Sequence, residues 1–530
     1  MRKRLILLGA TTIALALSTT SCFKGGDDTK EDQYKDGKLL ISLRNLYFSN
    51  YAGGDDYLKE VENKFQVSFS FDAYQWANWE TQVIGQVNGR SMPDVFHANI
   101  DSYNFANLYK YWAEEEIVKP LPEDLSRWPN FKRMIDNSSN INALRIDGKL
   151  YGVPIAKNTT DYSTSFSPFT YVYRRDWAKE FGVYKENDEY TWQEFQDLVR
   201  VFHEKLSPKG KDAFADVEWG FPSLINFYKQ VPHCFAQDAS GNYVNCYTTD
   251  KYIEGMNFAK SFMDNGYHYS DQNSARDGDM NIRYYSNQLG ILYENLSYSN
   301  LYDLKTNLRS TNSSNTDFNV EDATAIMKIK GPDGKYALEG TDNWFSMTFF
   351  DYRISDNKMN KLLDIYDWLL GEEGTTFSIY GFEGYDYEIV NNEIKLIETA
   401  WPKDGDDYIP KNNGAKYLRY MVSLGYDTLA KDPLTDKKAV KYLEDWEAEM
   451  KQELAAGNLR VLKETAEVMW LTTPLKASFS GKLRTEALNT VMNYVMQSET
   501  GERMTEAQYK SVFENDGTWS DVLNEINATL

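Results

Sequence analysis

The chain has 530 residues, too many for one hydrophobic core, so two or more folded units are expected. Hydrophobic residues make up 42% and charged residues 26%, the balance of an ordinary soluble globular protein. A formal charge of −22 excludes a nucleic-acid partner, whose phosphates it would repel, and no basic run beyond Arg2, Lys3 and Arg4 offers a patch for an anionic membrane.

Those three basic residues open a targeting segment: apolar residues 5–17 follow, then small residues 18–21 and Cys22. The pattern resembles a bacterial lipobox, with Thr19 where leucine is usual, and predicts lipidation at Cys22. Residues 23–38 are rich in Gly, Asp and Lys with almost no apolar content, and read as a flexible tether. No later apolar run approaches the 18 residues of a membrane span, so the membrane is reached only through the N-terminal anchor.

The first folded block is βαβ in pattern. Residues 39–43 are a strand and 55–65 a helix with Leu58, Val61 and Phe65 on one face; 67–71 alternates, 79–87 is helical, and 92–96 is a strand. Alternating strands and helices imply a mostly parallel sheet, whose ligands lie beyond the carboxyl ends of strands. That rule selects the loops 72–79 and 97–103, hence Trp76, Trp79, Asn99 and Asp101. At 147–154, Asp-Gly starts a turn and Pro154 ends the short apolar run after it, so the chain crosses here to another block; Tyr151 and Arg174 flank the crossing. Thr191-Trp-Gln-Glu194 is a capping box. Cys234 and Cys246 flank the turn signal 238–241; outside the cytosol a bridge between them is expected, with two buried thiols as the alternative. Residues 290–295 form a buried strand ending in Tyr293, Glu294 and Asn295. Trp344, just past 326–334, and Tyr385 and Asp386, at the end of the glycine-bearing run 381–386, are further candidates. Residues 436–530 are largely helical in pattern.

Catalysis finds little support. The four histidines stand in no HExxH pair, and neither a GxSxG elbow nor a phosphate-cradling loop occurs. Aromatic residues are 15% of the chain, enough beyond core needs to suggest a site that grips its ligand by ring faces.

The runs Pro93-Asp-Val-Phe96, Asp147-Gly-Lys-Leu-Tyr-Gly-Val-Pro154, 171–183, Thr191-Trp-Gln-Glu-Phe195, Lys330-Gly-Pro-Asp-Gly334, Gly371-Glu-Glu-Gly374 and Tyr380-Gly-Phe-Glu-Gly384 occur in an order and spacing that resembles the large lipoprotein solute-binding proteins of bacterial ABC importers, the sugar-binding family 1 type. The resemblance spans about 39–390 and implies an α/β, two-lobed, periplasmic-binding-protein-like fold of type II. Its lobes would be 39–155 plus 331–382 and 156–330 plus 383–530, joined by hinges near 154–160, 326–334 and 381–386. It implies a monomer that takes an oligosaccharide into the cleft and delivers it to an ABC permease, with no cofactor and no catalysis. Many relatives carry a calcium loop after the 191–202 helix; here Leu206-Ser-Pro-Lys-Gly-Lys-Asp212 puts lysines where carboxylates would be needed, so no metal is expected. A secreted glycan-degrading enzyme and an outer-membrane helical-repeat glycan-capturing lipoprotein are the alternatives; the βαβ reading of 39–96 argues against the latter.

Overall fold

The computed structural model describes residues 29–530 except 50, 52, 100–102, 160–164, 217–221, 232–233, 270–277, 405–406, 409–410, 480–481, 497–501 and 516. Cys22 and Asp101 therefore lie outside the described residues. Two sheets organise the chain. In the first, Lys38–Asn45 runs parallel to Val67–Ala73 on one side and to Val95–Asn99 on the other. Trp344–Phe350 lies antiparallel to Val95–Asn99, with Ser346 opposite Asn99, and Val153–Ala156 closes the edge antiparallel to it. In the second, Phe169–Arg174 runs antiparallel to both neighbours, Leu289–Asn295 and Thr324–Ile329. Asp212–Asp216 is parallel to Leu289–Asn295, and Glu189–Tyr190 is parallel to Thr324–Ile329.

Both sheets are mixed, not mostly parallel as the βαβ pattern suggested, and chain entry explains it. A strand that follows a helix of its own lobe ends at the cleft. One that arrives from the other lobe, such as Trp344–Phe350 or Phe169–Arg174, starts at the cleft and runs away from it.

Each lobe has its own core. The first gathers Leu39, Ile41, Val61, Phe96, Trp112, Phe349, Leu362 and Leu369, all buried. The second packs Tyr171, Phe195, Phe214, Phe262 and Tyr293 on one sheet face and Val172, Leu292, Leu304 and Ile326 on the other. Local sequence choices support these helices. Asp55 caps Asp56–Phe65 by accepting from the Leu58 amide, and the capping box at Thr191 and Glu194 opens Trp192–Leu206. Lys185 and the Thr191 groups hold the Glu194 carboxyl down at about 2.

Three strands of chain join the lobes, and one differs from expectation. The first crossing follows Val153–Ala156 of the first sheet and precedes Phe169–Arg174 of the second. The second runs through Tyr336–Thr341, which pairs with Leu459–Leu462 and Ser165–Phe166, before the Lys157 amide donates to Asn343 O. The third is not at 381–386. Gly381, Phe382 and Asp386 sit on the first lobe, and 411–422 stays there too, with Ala415, Leu418, Met421 and Val422 in the first core. The chain leaves along 422–428: Ala156 N donates to Val422 O, Leu424 N to Ala156 O, and Tyr426 N to Lys157 O. Hence Asp386, Lys411 and 415–422 pack with the first lobe, where the sequence reading had assigned 383–530 to the second. The loop at 381–386 resembles a crossing because Gly381 adopts φ +92°, but that glycine serves a local purpose. A Cβ there would come 2.3 Å from Asp386 Oδ2. Beyond the third crossing, the helix Ala466–Trp470 touches both lobes, with Val468 in the second core and Trp470 in the first.

Candidate functional site: the cleft between the lobes

The carboxyl ends of Lys38–Asn45, Val67–Ala73 and Val95–Asn99 and the start of Trp344–Phe350 converge on one edge of the first sheet. There Asn45 fixes a buried histidine. Its amide nitrogen donates to Tyr420 O and lies 3.0 Å from Met421 Sδ, so its oxygen is the atom that receives His97 Nδ1–H at 2.8 Å. Burial without a carboxylate partner pushes the His97 ring down to about 3, against a smaller upward pull from the Asn99 side chain. The ring is therefore neutral and its Nε2 carries a lone pair. Among the described residues His97 Nε2, Asn99 Oδ1 and Ser346 Oγ are buried and have no hydrogen-bond partner. By strand alternation all three lie on one sheet face.

Rings surround this polar step. Tyr47 stacks on His97 at 5.7 Å between centroids, meets Trp76 edge-on at 5.7 Å and Tyr420 at 5.4 Å. Trp76 is 51% exposed and Tyr426, on the third crossing, 42%. Burial raises the Tyr47 phenol well above its ordinary value, and the Tyr426 phenol to about 12, so both stay protonated donors at neutral pH.

The hinge floor is tightly bound. Lys157 Nζ donates to Thr341 Oγ1 and Asp342 O, Asn343 exchanges hydrogen bonds with Asn158, and Asp427 Oδ2 accepts from the amide and hydroxyl of Thr159. Gly425 turns the third crossing at φ +65°, and a Cβ there would stand 2.8 Å from Arg419 Nη1 and Thr428 Oγ1. On the second lobe the strand ends bring Asp216, paired with His268 at 3.1 Å, and the buried Glu294, whose Oε1 accepts from Asn295 N at 2.6 Å. Asn226 donates to Tyr293 OH while its own Oδ1 is buried without a partner.

Of the residues selected from sequence, Trp76, Asn99, Glu294 and Asn295 stand at strand ends on this cleft. Trp79 packs half-buried on the first core. Tyr151 precedes Val153–Ala156, whose other end reaches the cleft, and its amide donates to Tyr109 OH. Arg174 ends a strand that starts at the cleft, so it lies at the far edge; buried, it pairs with Asp176, bonds Asn287 and covers the Trp177 ring at 4.0 Å. Tyr293 is second-core, and Trp344 is first-core, its indole donating to Ser139 O and facing Trp470 at 6.0 Å. Asp386 is fully buried against Lys411, Tyr57 OH and the Phe382 amide, and Tyr385 beside it is 70% exposed on the first-lobe surface. Tyr47, His97, Ser346, Tyr420 and Tyr426 were missed. The strand-end rule, applied to Lys38–Asn45, would have found Tyr47, and His97 opens the 97–103 loop that the rule did select; the other three depend on pairings the sequence does not display.

The expected Cys234–Cys246 bridge is not formed: both are buried thiols. The two lie opposite each other at the end of a hairpin, where the Cys246 amide donates to Cys234 O at 2.7 Å, and each thiol instead reaches a backbone carbonyl. Cys234 Sγ donates to Leu483 O and Cys246 Sγ lies 3.8 Å from Val231 O, and burial pushes the Cys246 thiol up to about 11. In the 206–212 segment Lys209 and Lys211 rest over the rings of Phe181 and Trp177.

Two lobes with separate cores, facing sheets and three crossings define the fold of a two-lobed solute-binding protein. Residues 56–282 match the family model described as bacterial extracellular solute-binding protein. The chain is 22% identical over 419 residues to the polygalacturonan/rhamnogalacturonan-binding protein YtcQ of Bacillus subtilis (strain 168), covering 75% of this chain and 77% of that one. Among solved structures it is similar to the ABC-transporter substrate binding protein FusA of S. pneumoniae in complex with fructo-nystose, an EF-hand mutant (TM-score 0.62, 12% identity, 92% of this chain and 98% of that one). It is likewise similar to the alginate-binding protein AlgQ2 without calcium ion (TM-score 0.58, 14% identity, 93% and 95%).

Proposed function

We propose that this protein captures an oligosaccharide between its lobes outside the cytoplasmic membrane and hands it unaltered to an ABC importer. The observation that carries the reading is the first-lobe wall, where Trp76 and Tyr47 offer ring faces beside the unpartnered polar atoms of His97, Asn99 and Ser346. Sugars need that combination: flat apolar area for C–H faces and fixed polar atoms for hydroxyls. The saccharide ligands named for YtcQ, FusA and AlgQ2 support it. Closure about the three crossings is a population shift driven by contacts from both lobes to one ligand. Cys22 is the proposed lipidation site and the protein acts as a monomer, Asn99, Trp76, Glu294 and Asn295 being its proposed ligand contacts. Among the described residues no helix is long and apolar enough to cross a membrane.

Thermal melting of the lipid-free protein against a glycan panel tests the reading. A ligand at a hundredfold excess over Kd stabilises the folded state by about 2.7 kcal/mol. Chromatography of the recovered glycan separates capture from cleavage. A shift by peptides alone, or glycan turnover by the purified protein, would overturn the proposal.

A further inference from the structure

The unpartnered atoms of the cleft have a common chemistry. His97 is fully buried, its Nδ1–H is committed to Asn45, and what it presents is the Nε2 lone pair. Asn99 presents Oδ1, and Asn226 on the second lobe, 4% exposed, also presents Oδ1. These three atoms accept; Ser346 Oγ, also without a partner, can donate or accept. Two buried carboxylates, Asp216 and Glu294, stand at the strand ends of the second lobe. The cations near the hinge are engaged elsewhere. Arg44 bonds Asp72, Ala73 O and Gln82; Lys157 is held by Thr341 and Asp342; Lys463 pairs with Asp342. Arg419, whose Nε and Nη2 are buried without a partner, lies next to the charges of Asp427 and Asp432.

Resting on the carbohydrate reading above, we propose that the cleft selects uncharged, hydroxyl-bearing glycans and rejects uronic-acid oligomers, because His97 Nε2 and Asn99 Oδ1 on one lobe and Asn226 Oδ1 on the other are buried acceptors that only a ligand donor can satisfy. A hydroxyl donates to His97 Nε2 or Asn99 Oδ1 and can accept from Ser346 Oγ in the same contact. A carboxylate brings no proton, leaves those buried acceptors unpaired, and meets the carboxylates of Asp216 and Glu294 at the strand ends of the second lobe. This separates the chain from YtcQ and AlgQ2, whose names specify acidic polysaccharides.

Calorimetry decides it with three probes at matched chain length: neutral gluco-, manno- and fructo-oligosaccharides, oligogalacturonate, and the methyl ester of that oligogalacturonate. The expected result is binding of at least one neutral glycan, with the free acid at least tenfold weaker than its ester or silent. Free acid binding as tightly as the ester, or as the tightest ligand of the panel, overturns the selectivity while leaving the carbohydrate reading intact. No binding by any glycan, with another solute class binding, overturns the carbohydrate reading and the selectivity with it. Asn99→Leu should weaken the neutral ligand about tenfold, the loss of one buried hydrogen bond, with Asn99→Gln restoring part of it and the melt of the free protein unchanged. Unaltered affinity in Asn99→Leu would remove Asn99 from the site.

Discussion

Asp386 distinguishes the two accounts of the 381–386 loop, because a hinge carboxylate and a structural one respond differently to removal. Its Oδ1 accepts from Tyr57 OH at 3.0 Å and pairs with Lys411 Nζ at 2.5 Å, and its Oδ2 accepts from the Phe382 amide at 2.8 Å. The carboxylate is fully buried, and the Lys411 side chain is 17% exposed. Asp386→Ala therefore removes the one carboxylate of a largely buried ammonium, a phenol and an amide at once, leaving the cation the Trp401 ring at 4.1 Å and Tyr57 OH at 3.5 Å. Breaking a buried pair by removing one partner costs about 3–5 kcal/mol. The double variant Asp386→Asn with Lys411→Met, which removes both charges, should recover about half of it or more. Urea unfolding of the free protein gives the stability change, and calorimetry below the transition gives ligand affinity, which should stay within about twofold of the parent. A stable Asp386→Ala variant that has lost its ligand would refute the structural role and return the third crossing to 381–386.

Burial pushes the Lys476 ammonium, held by the carbonyls of Met469 and Leu471, down to about 8. A folded value below the unfolded one means the unfolded chain binds more protons above pH 8, so stability should rise with pH by about 2 kcal/mol between pH 8 and 9.5. Lys476→Met should abolish that rise, measured as urea midpoints across the window; a parent protein that loses stability there contradicts the assignment. Gly425→Ala forces a side chain into φ +65° against Arg419 and Thr428, and should cost about 1–3 kcal/mol in the melt and reduce ligand-induced compaction in solution scattering. Cys234 and Cys246 should titrate as two thiols with a thiol reagent in denaturant and as none in the native protein, measured on a chain beginning at residue 23; two thiols protected even in denaturant without reductant would establish the bridge.

Local signals carried a good share of this fold. Asp55 and the Thr191 capping box announced helix starts, the 39–96 pattern predicted three strands and two helices that form, and the strand-end rule pointed to Trp76 and Asn99. Where partners are distant, that legibility ended. Gly381 and Gly425 both have positive φ, but one wraps a buried aspartate within a lobe and the other turns a crossing between lobes. Arg174 and Tyr151 flank the expected crossing in sequence, yet strand direction carries each away from the cleft. The acceptor surface of His97, Asn99 and Ser346 exists only because Asn45, from one strand, takes the histidine's proton and Trp344–Phe350, arriving from the other lobe, lays Ser346 beside Asn99. Periodicity and capping act over a few residues and are written in the chain; register, crossing and the choice of which polar atom is left without a partner are set by contacts across hundreds of residues, and only the folded structure decides them.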